Sequence, residues 1–126
     1  MTALVLDAGA FIAFERGAQS VRAQLAAARQ LGLPVVTTSP IVAQVWRDGA
    51  KQALLVLLLR GVEVIPPTLK DAQYAGDLCR RTRSSDAVDA LLVATAPIGS
   101  TILTSDPSDI RALVAAARRS LHIEKV

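Results

Sequence analysis

The feature that most constrains the fold is a repeated alternation of short apolar runs with longer helix-like segments. Residues 3–6 are Ala-Leu-Val-Leu, a short continuous apolar run, and further strand-like segments rich in Val, Ile, Leu and Thr recur at 34–38, 62–65 and 100–104. Continuous apolar runs of this length are typical of strands that are buried on both faces. Their alternation with helices predicts an α/β fold, a three-layer α/β/α sandwich around a mainly parallel central sheet. The length of 126 residues predicts a single domain over 1–126.

The composition agrees with layered packing and limits the possible functions. The chain is 52% hydrophobic but only 3% aromatic, so the core must consist of Ala, Val, Leu and Ile. The net charge of +3 permits an anionic partner without requiring one. The single Cys79 excludes a disulfide framework and a thiolate metal cage, and the single His122 argues against a histidine-based triad or zinc site. Since the longest apolar run is short and no signal peptide is visible, we expect a soluble cytoplasmic domain with no membrane association.

The helix predicted from Ser84 to Pro97 is the most informative segment of the chain. Ser84 or Ser85 is a suitable N-cap, and strong helix formers follow. Asp86 and Asp89 are three residues apart, so both carboxylates lie on one face of the first turn. The rest of the helix is almost wholly apolar, which predicts that it is buried. The helix dipole accounts easily for one acid at this end, and less well for two.

Other helices carry local start signals. These signals are the pair Ser39-Pro40, the capping box of Thr68 with Asp71, and Pro107 at the start of a helix that runs to about Ala117. The predicted helix over 51–60 is apolar on every side from Leu54 to Leu59. It is therefore either deeply buried or partly covered by another subunit, and the sequence does not decide between these alternatives.

Acidic residues follow two of the predicted strands. In parallel sheets the functional crevice lies outside the carboxyl ends of the strands. Asp7 ends the first strand and Asp106 ends the fourth, so their carboxylates converge if those strands are neighbours. The helix that carries Asp89 immediately precedes the fourth strand. Carboxylates gathered in this way repel one another unless a divalent cation is present, and Mg²⁺ or Mn²⁺ prefers such oxygen ligands.

Each of these acids also has a simpler interpretation. For Asp7, the simpler interpretation is that it serves just as the cap of a helix that begins near Ala10. Asp106 before Pro107, with Asp109 three residues later, has the pattern of a cap and box. Asp86 is explained by the helix dipole. What favours a metal centre is that Asp7, Asp89 and Asp106 would share one crevice.

Four segments together resemble a known family. They are Leu4-Val5-Leu6-Asp7, Ser39-Pro40-Ile41-Val42-Ala43-Gln44-Val45, Asp89-Ala90-Leu91-Leu92-Val93-Ala94-Thr95-Ala96 and Ile102-Leu103-Thr104-Ser105-Asp106. In this order and spacing they are similar to the PIN-domain ribonucleases, most of all the VapC toxins of prokaryotic toxin–antitoxin pairs. The resemblance extends over nearly the whole chain.

The resemblance implies a function and a set of site residues. It implies Mg²⁺- or Mn²⁺-dependent cleavage of RNA, a homodimer, and inhibition by a cognate antitoxin protein. Asp7 and Asp89 would be the main metal ligands, and Asp106 would hold a second metal or position the water. The supporting residues would be Asp86, Asp109 and Ser105. The basic residues beside the acidic helix, which are expected to contact the RNA backbone, are Arg80, Arg81 and Arg83.

Two departures from the family pattern affect this expectation. The family usually has Glu where this chain has Gln44, and a hydroxyl residue usually follows the first Asp, where this chain has Ala8-Gly9. Gln44 can hydrogen-bond a water or offer a carbonyl oxygen, so it remains a catalytic candidate. It brings no charge, however, and is expected to weaken metal affinity.

Three functions are therefore distinguished. The first is a metal-dependent endoribonuclease toxin. The second, favoured by Gln44, is a catalytically weak or inactive PIN-like protein that binds RNA or an antitoxin. The third, a receiver-type signalling domain, needs a phosphoacceptor Asp after a middle strand and a Lys near the last one. Asp48 follows a predicted helix and no Lys lies near Asp106, so this class is rejected.

Overall fold

The structure, a computed structural model, describes residues 2–126 and has the α/β architecture that the sequence predicts. Its elements in chain order are β1 (Leu4–Leu6), α1 (Ala8–Glu15), α2 (Gln19–Gln30), β2 (Val35–Thr38), α3 (Ser39–Val45), a 3₁₀ turn (Gly49–Lys51), α4 (Ala53–Leu59), β3 (Glu63–Ile65), α5 (Leu69–Thr82), α6 (Ala87–Thr95), β4 (Thr101–Thr104), α7 (Pro107–Ala117) and β5 (His122–Lys125).

The central sheet has five strands in the order β3-β2-β1-β4-β5, and all four strand pairs are parallel. The chain moves outward from β1 to β3, then returns past β1 to form β4 and β5. Because crossovers between parallel strands are right-handed, this reversal puts α1 to α4 on one face and α5 to α7 on the other. The packing agrees, since α1 contacts α2, α3 and α4, whereas α5, α6 and α7 contact one another. The three-layer sandwich is confirmed.

The core lies along the three inner strands. Every residue of β1, β2 and β4 is buried, whereas the edge strands β3 and β5 are mostly exposed. The largest buried side chains that the helices add include Phe11, Leu25, Leu92 and Ile110. Aliphatic side chains thus fill most of the core, as the composition predicts, with Phe11 as a buried aromatic exception.

Helix α6 is fixed at both ends. The prediction that Ser84 or Ser85 is its N-cap is wrong: Asp86 occupies that position and accepts a hydrogen bond from the backbone N–H of Asp89 at 3.0 Å. The Ser84 hydroxyl instead accepts a hydrogen bond from the backbone N–H of Asp86, the cap residue itself. At the other end the Arg119 guanidinium donates to the last-turn carbonyl oxygens of Val93 and Ala94, at 2.7 and 2.9 Å. Side chains therefore bind some of the unpaired backbone groups at each end of the helix.

The remaining helix signals have mixed outcomes. Both hydrogen bonds of the Thr68–Asp71 capping box are present, and α7 spans Pro107–Ala117 as predicted. Ser39 is the first residue of α3 rather than its cap. No helix among residues 2–126 has the length and apolarity needed to cross a membrane.

The segment predicted as one helix over 51–60 is divided into a 3₁₀ turn and α4. Helix α4 has two different faces. Leu55 and Leu58 are buried, whereas Leu54 is 41% exposed and Leu57 is 59% exposed. The helix is thus neither wholly buried nor wholly at the surface, and its second face is open in the single chain.

Candidate metal centre

The acidic residues meet where the direction of the chain reverses in the sheet. Strands β1 and β4 are parallel neighbours, as the prediction of convergence requires, and their outgoing connections lead to opposite faces. Such a switch point leaves a crevice at the carboxyl ends of the two strands. Asp7 directly follows β1, and Thr104-Ser105-Asp106 lies at the end of β4.

Asp7 is buried and serves as the N-cap of α1. Its side chain is 6% exposed, and Oδ1 accepts a hydrogen bond from the backbone N–H of Ala10 at 2.9 Å. Burial raises the pKa of this carboxyl, and the charge of Asp106 adds to the effect. Hydrogen bonds from Thr104 and from the backbone of Ala10 and Gly9 oppose the rise in pKa. Asp7 therefore does cap α1, which begins at Ala8 rather than near Ala10, and these bonds leave part of the carboxylate free.

Asp89 is the most perturbed acid of the centre. Its pKa is raised from 3.8 to about 7, first because burial disfavours the charged form and then because of the charge and hydrogen bonding of Asp86. The charges of Asp7 and Asp109 raise it further. These effects show that Asp89 lies within electrostatic reach of acids from both α1 and α7. A perturbed carboxyl in a crevice is a physical sign of a functional site.

Asp106 and Asp109, at the start of α7, are two further acids of the centre. Asp106 is at the N-cap position of α7 but makes no side-chain cap bond, so the prediction of a cap and box is wrong here. Its Oδ1 accepts instead from the Ser108 hydroxyl at 2.9 Å, and its backbone N–H donates to the Thr104 hydroxyl at 3.0 Å. The charge of Asp106 is the main cause of a raised pKa at Asp109. Both acids are exposed and remain open to a ligand.

Ser105 packs directly against the first turn of α1. A Cβ atom placed on Gly9 would lie 2.0 Å from the Ser105 Oγ and 2.7 Å from its Cβ. The Ser105 side chain therefore occupies the space that a side chain at position 9 would fill. With Ser105 in this place, position 9 has no room for a side chain larger than that of glycine.

Gln44 lies on α3, which packs against both α1 and α6. Its side chain is exposed. Its helix is therefore next to the elements that carry Asp7 and Asp89. Gln44 brings no charge to these elements, whereas a Glu at this position would add one negative charge beside them.

The three predicted RNA-contacting arginines are exposed but lie in different surroundings. Arg83 ends α5 in a left-handed conformation, with φ of 57°, and lines a cavity of about 310 Å³ together with Ser84, Ser85 and Asp109. Arg81 faces a different cavity, of about 560 Å³, which it shares with Arg118. Arg80 lines neither. Of the three, only Arg83 adjoins the acidic residues, and Arg118 is a basic neighbour that the sequence did not single out.

The chemistry of the donor set fits a hard divalent cation. The acids offer only oxygen atoms. The charges of other acids add to the effect of burial on the raised pKa of Asp89 and are the main cause of the raised pKa of Asp109. A cation would relieve that repulsion. Among the described residues, no three His, Cys, Asp or Glu side chains stand close enough together to ligate one ion as they are. One or two carboxylates with water as the remaining ligands suffice for Mg²⁺, so a pair of these acids is enough to hold an ion.

Fold and site together define an α/β/α domain with an acidic centre at the β1–β4 switch point. The PIN domain family model matches residues 4–114. The chain therefore belongs to the PIN domain family, whose members are generally nucleases that use divalent metal ions.

Comparison with solved structures gives the same fold. One match is the VapBC2 complex of Rickettsia felis, bound to a DNA fragment from its promoter. It aligns over 98% of each chain, with a TM-score of 0.72 and 14% sequence identity. A search of curated proteins gives no significant match.

Proposed function

We propose that this chain is a metal-dependent endoribonuclease, the toxin of a type II toxin–antitoxin pair. The observation that carries the proposal is the grouping of Asp7, Asp89, Asp106 and Asp109 at one switch point. Membership of a family of nucleases supports hydrolysis of a phosphodiester. The likeness to a toxin–antitoxin complex supports an antitoxin protein as partner. We keep a homodimer in the proposal because the VapC resemblance implies one.

The chemistry follows from the donor set. Asp7 and Asp89 would hold a Mg²⁺ or Mn²⁺ ion, and Asp106 would orient the attacking water or help to hold a second ion. When bound, such an ion supplies positive charge that activates water near neutral pH and offsets charge on the phosphate. Asp86 keeps α6 in position, and Ser105 keeps the ends of β1 and β4 together. The sequence offers no side-chain nucleophile with a partnering histidine, and hydrolysis by water needs none.

Arg83 is the residue that we assign to the RNA backbone. It is exposed and lines the cavity that Asp109 also lines, so a phosphate held there would lie beside the acidic centre. Arg81 and Arg118 can extend the basic surface along α5 and α7. Contacts of this kind give affinity without base specificity.

The experiment is cleavage of structured RNA by wild-type protein with Mg²⁺ or Mn²⁺, and by Asp7→Asn and Asp89→Asn. Asn keeps the helix cap at position 7, so the first variant separates ligation from folding. Each variant should lose at least about 100-fold in rate, and EDTA should abolish wild-type activity. Asp77→Asn removes an exposed acid from α5 and is the matched control. Activity that survives both substitutions and EDTA would contradict the proposal.

The alternative function is a PIN-like protein that binds RNA or an antitoxin without cutting RNA. Gln44 favours it, because the centre has one fewer negative ligand than the family pattern. Calorimetric titration separates the two functions: absence of binding at millimolar Mn²⁺, together with intact RNA or antitoxin binding, would support the alternative.

A further inference from the structure

Three aligned residues lie at the carboxyl ends of the inner strands. Strand β1 pairs Val5 with Val36 of β2 and Leu6 with Leu103 of β4. When both registers are continued to Asp7, Thr38 lies on one side of it and Thr104 on the other. Asp7 is still in extended conformation, and its N–H donates to the Leu103 carbonyl at 3.2 Å, so the ladder does continue.

Aligned residues of parallel strands point to the same face of the sheet. Thr38 is also extended, with φ of −116° and ψ of 157°. The side chains of Thr38, Asp7 and Thr104 therefore form one row on one face, with the carboxyl in the middle.

The two threonine hydroxyls differ in their bonding. Thr104 accepts from the N–H of Asp106 and hydrogen-bonds the Asp7 carboxyl. Thr38 is 0% exposed, and its hydroxyl has no hydrogen-bond partner among the described residues. The adjacent Thr37, equally buried, donates to the Leu6 carbonyl oxygen at 2.8 Å. A buried hydroxyl without a partner is costly and uncommon, so it needs a reason.

We propose that Thr38 is a positioning residue of the acidic centre, whose hydroxyl donates a hydrogen bond to the Asp7 carboxylate when a divalent cation is bound there. This inference rests on the metal centre proposed above. An ionised carboxylate has about four acceptor sites, and the bonds from Thr104 and from the N–H groups of Ala10 and Gly9 leave about one of them free. Thr38 is the buried donor that remains on the same face. The hydroxyl, which has no partner among the described residues, then gains one when the ion binds.

Thr38→Val tests this role because it removes the hydroxyl and keeps the shape of the side chain. The readouts are the dissociation constant for Mn²⁺ by calorimetry and the melting temperature of the metal-free protein. We expect the metal-free melting temperature to stay at or above that of wild type, since no bond is lost. The dissociation constant should rise about threefold to tenfold, as expected for one hydrogen bond. Thr38→Ser should remain within about twofold of wild type.

Two matched controls separate this role from ordinary packing. Ser100→Ala removes the other buried hydroxyl without a partner, which precedes β4 at the opposite end of the sheet. It should leave Mn²⁺ binding unchanged. Thr37→Val breaks an existing bond, so it should lower the metal-free melting temperature and leave Mn²⁺ binding unchanged.

Two results would overturn the inference while the metal centre stands. One is a Thr38→Val dissociation constant equal to that of wild type. The other is a metal-free melting temperature lowered as much as in Thr37→Val, which would mean that the hydroxyl is already bonded. Wild-type protein that fails to bind Mn²⁺ would contradict the metal centre and, with it, this role of Thr38.

Discussion

The Asp86 carboxylate accepts a hydrogen bond from the backbone N–H of Asp89 at 3.0 Å, so the cap of α6 is also the strongest charged neighbour of its most perturbed acid. The cap stabilises the helix, but its charge disfavours ionisation of Asp89. The Asp86 side chain therefore stabilises the helix, and its repulsion of Asp89 makes the binding of a cation there more favourable.

Replacement of Asp89 by Asn should stabilise the metal-free protein while removing metal binding. The amide carries no charge to be buried and none to repel Asp86 or Asp7. Because Asp89 is only partly buried, solvent screening limits the gain to about 1 kcal/mol at pH 8. Urea unfolding and Mn²⁺ calorimetry measure the two effects, with Asp77→Asn as control. Loss of stability in Asp89→Asn would argue against a repulsive centre.

The stability of the metal-free protein should fall as pH rises through 7. The pKa of Asp89 is about 7 in the folded protein, against an ordinary 3.8, so between these values the folded state binds more protons than the unfolded state. We expect a melting temperature about 2–4 °C higher at pH 6 than at pH 8, after allowance for screening. Asp89→Asn should lose most of this difference. An unchanged pH dependence in the variant would assign the effect to other groups.

The affinity for Mn²⁺ should show the opposite dependence. A carboxylate must be ionised to ligate the ion, so below pH 7 the ion competes with the proton on Asp89. The apparent affinity should fall by up to about tenfold for each pH unit below 7 and level off above it. Calorimetry in buffers of different ionisation enthalpy would count the released protons. Binding that is equal at pH 6 and pH 8 would exclude Asp89 as a ligand.

Gln44→Glu should strengthen metal binding. It adds a negative charge on α3, which contacts both α1 and α6, and we expect the Mn²⁺ dissociation constant to fall about tenfold. Gln73→Glu makes the same change of net charge at an exposed position of α5 and is the control. Equal effects of the two substitutions would indicate a general electrostatic influence rather than a place in the centre.

Arg83→Ala should weaken RNA binding more at low salt than at high salt. Loss of one phosphate contact should reduce the slope of log affinity against log salt by about 0.7 for single-stranded RNA. The control is Lys70→Ala, an exposed cation on the first turn of the same helix. Similar losses in the two variants would mean that the basic surface acts only through net charge.

Much of the fold could be predicted because its signals are local. The capping box of Thr68 and Asp71 and the limits of α7 depend on residues within one or two turns, and both are confirmed. The cap of α6 was misassigned because Ser84, Ser85 and Asp86 are all good caps, and only the backbone conformation selects among them.

The missed parts of the site depend on distant neighbours. Nothing near Thr37 or Thr38 in the sequence indicates that one hydroxyl is bonded and the other is not. That difference appears only when the register of β1 and β2 is known. Likewise, the need for glycine at position 9 comes from Ser105, which is brought there by the pairing of β1 with β4.

The pairing of Leu4 with Thr101 also has a consequence for the time at which the protein can become active. Asp7 is synthesised long before Asp106. The acidic centre cannot form until β4 has paired with β1. A nascent chain that lacks β4 therefore carries Asp7 and Asp89 but not the complete centre. If the protein cleaves RNA, a nascent chain therefore has no complete cutting site until β4 has been made and has paired with β1.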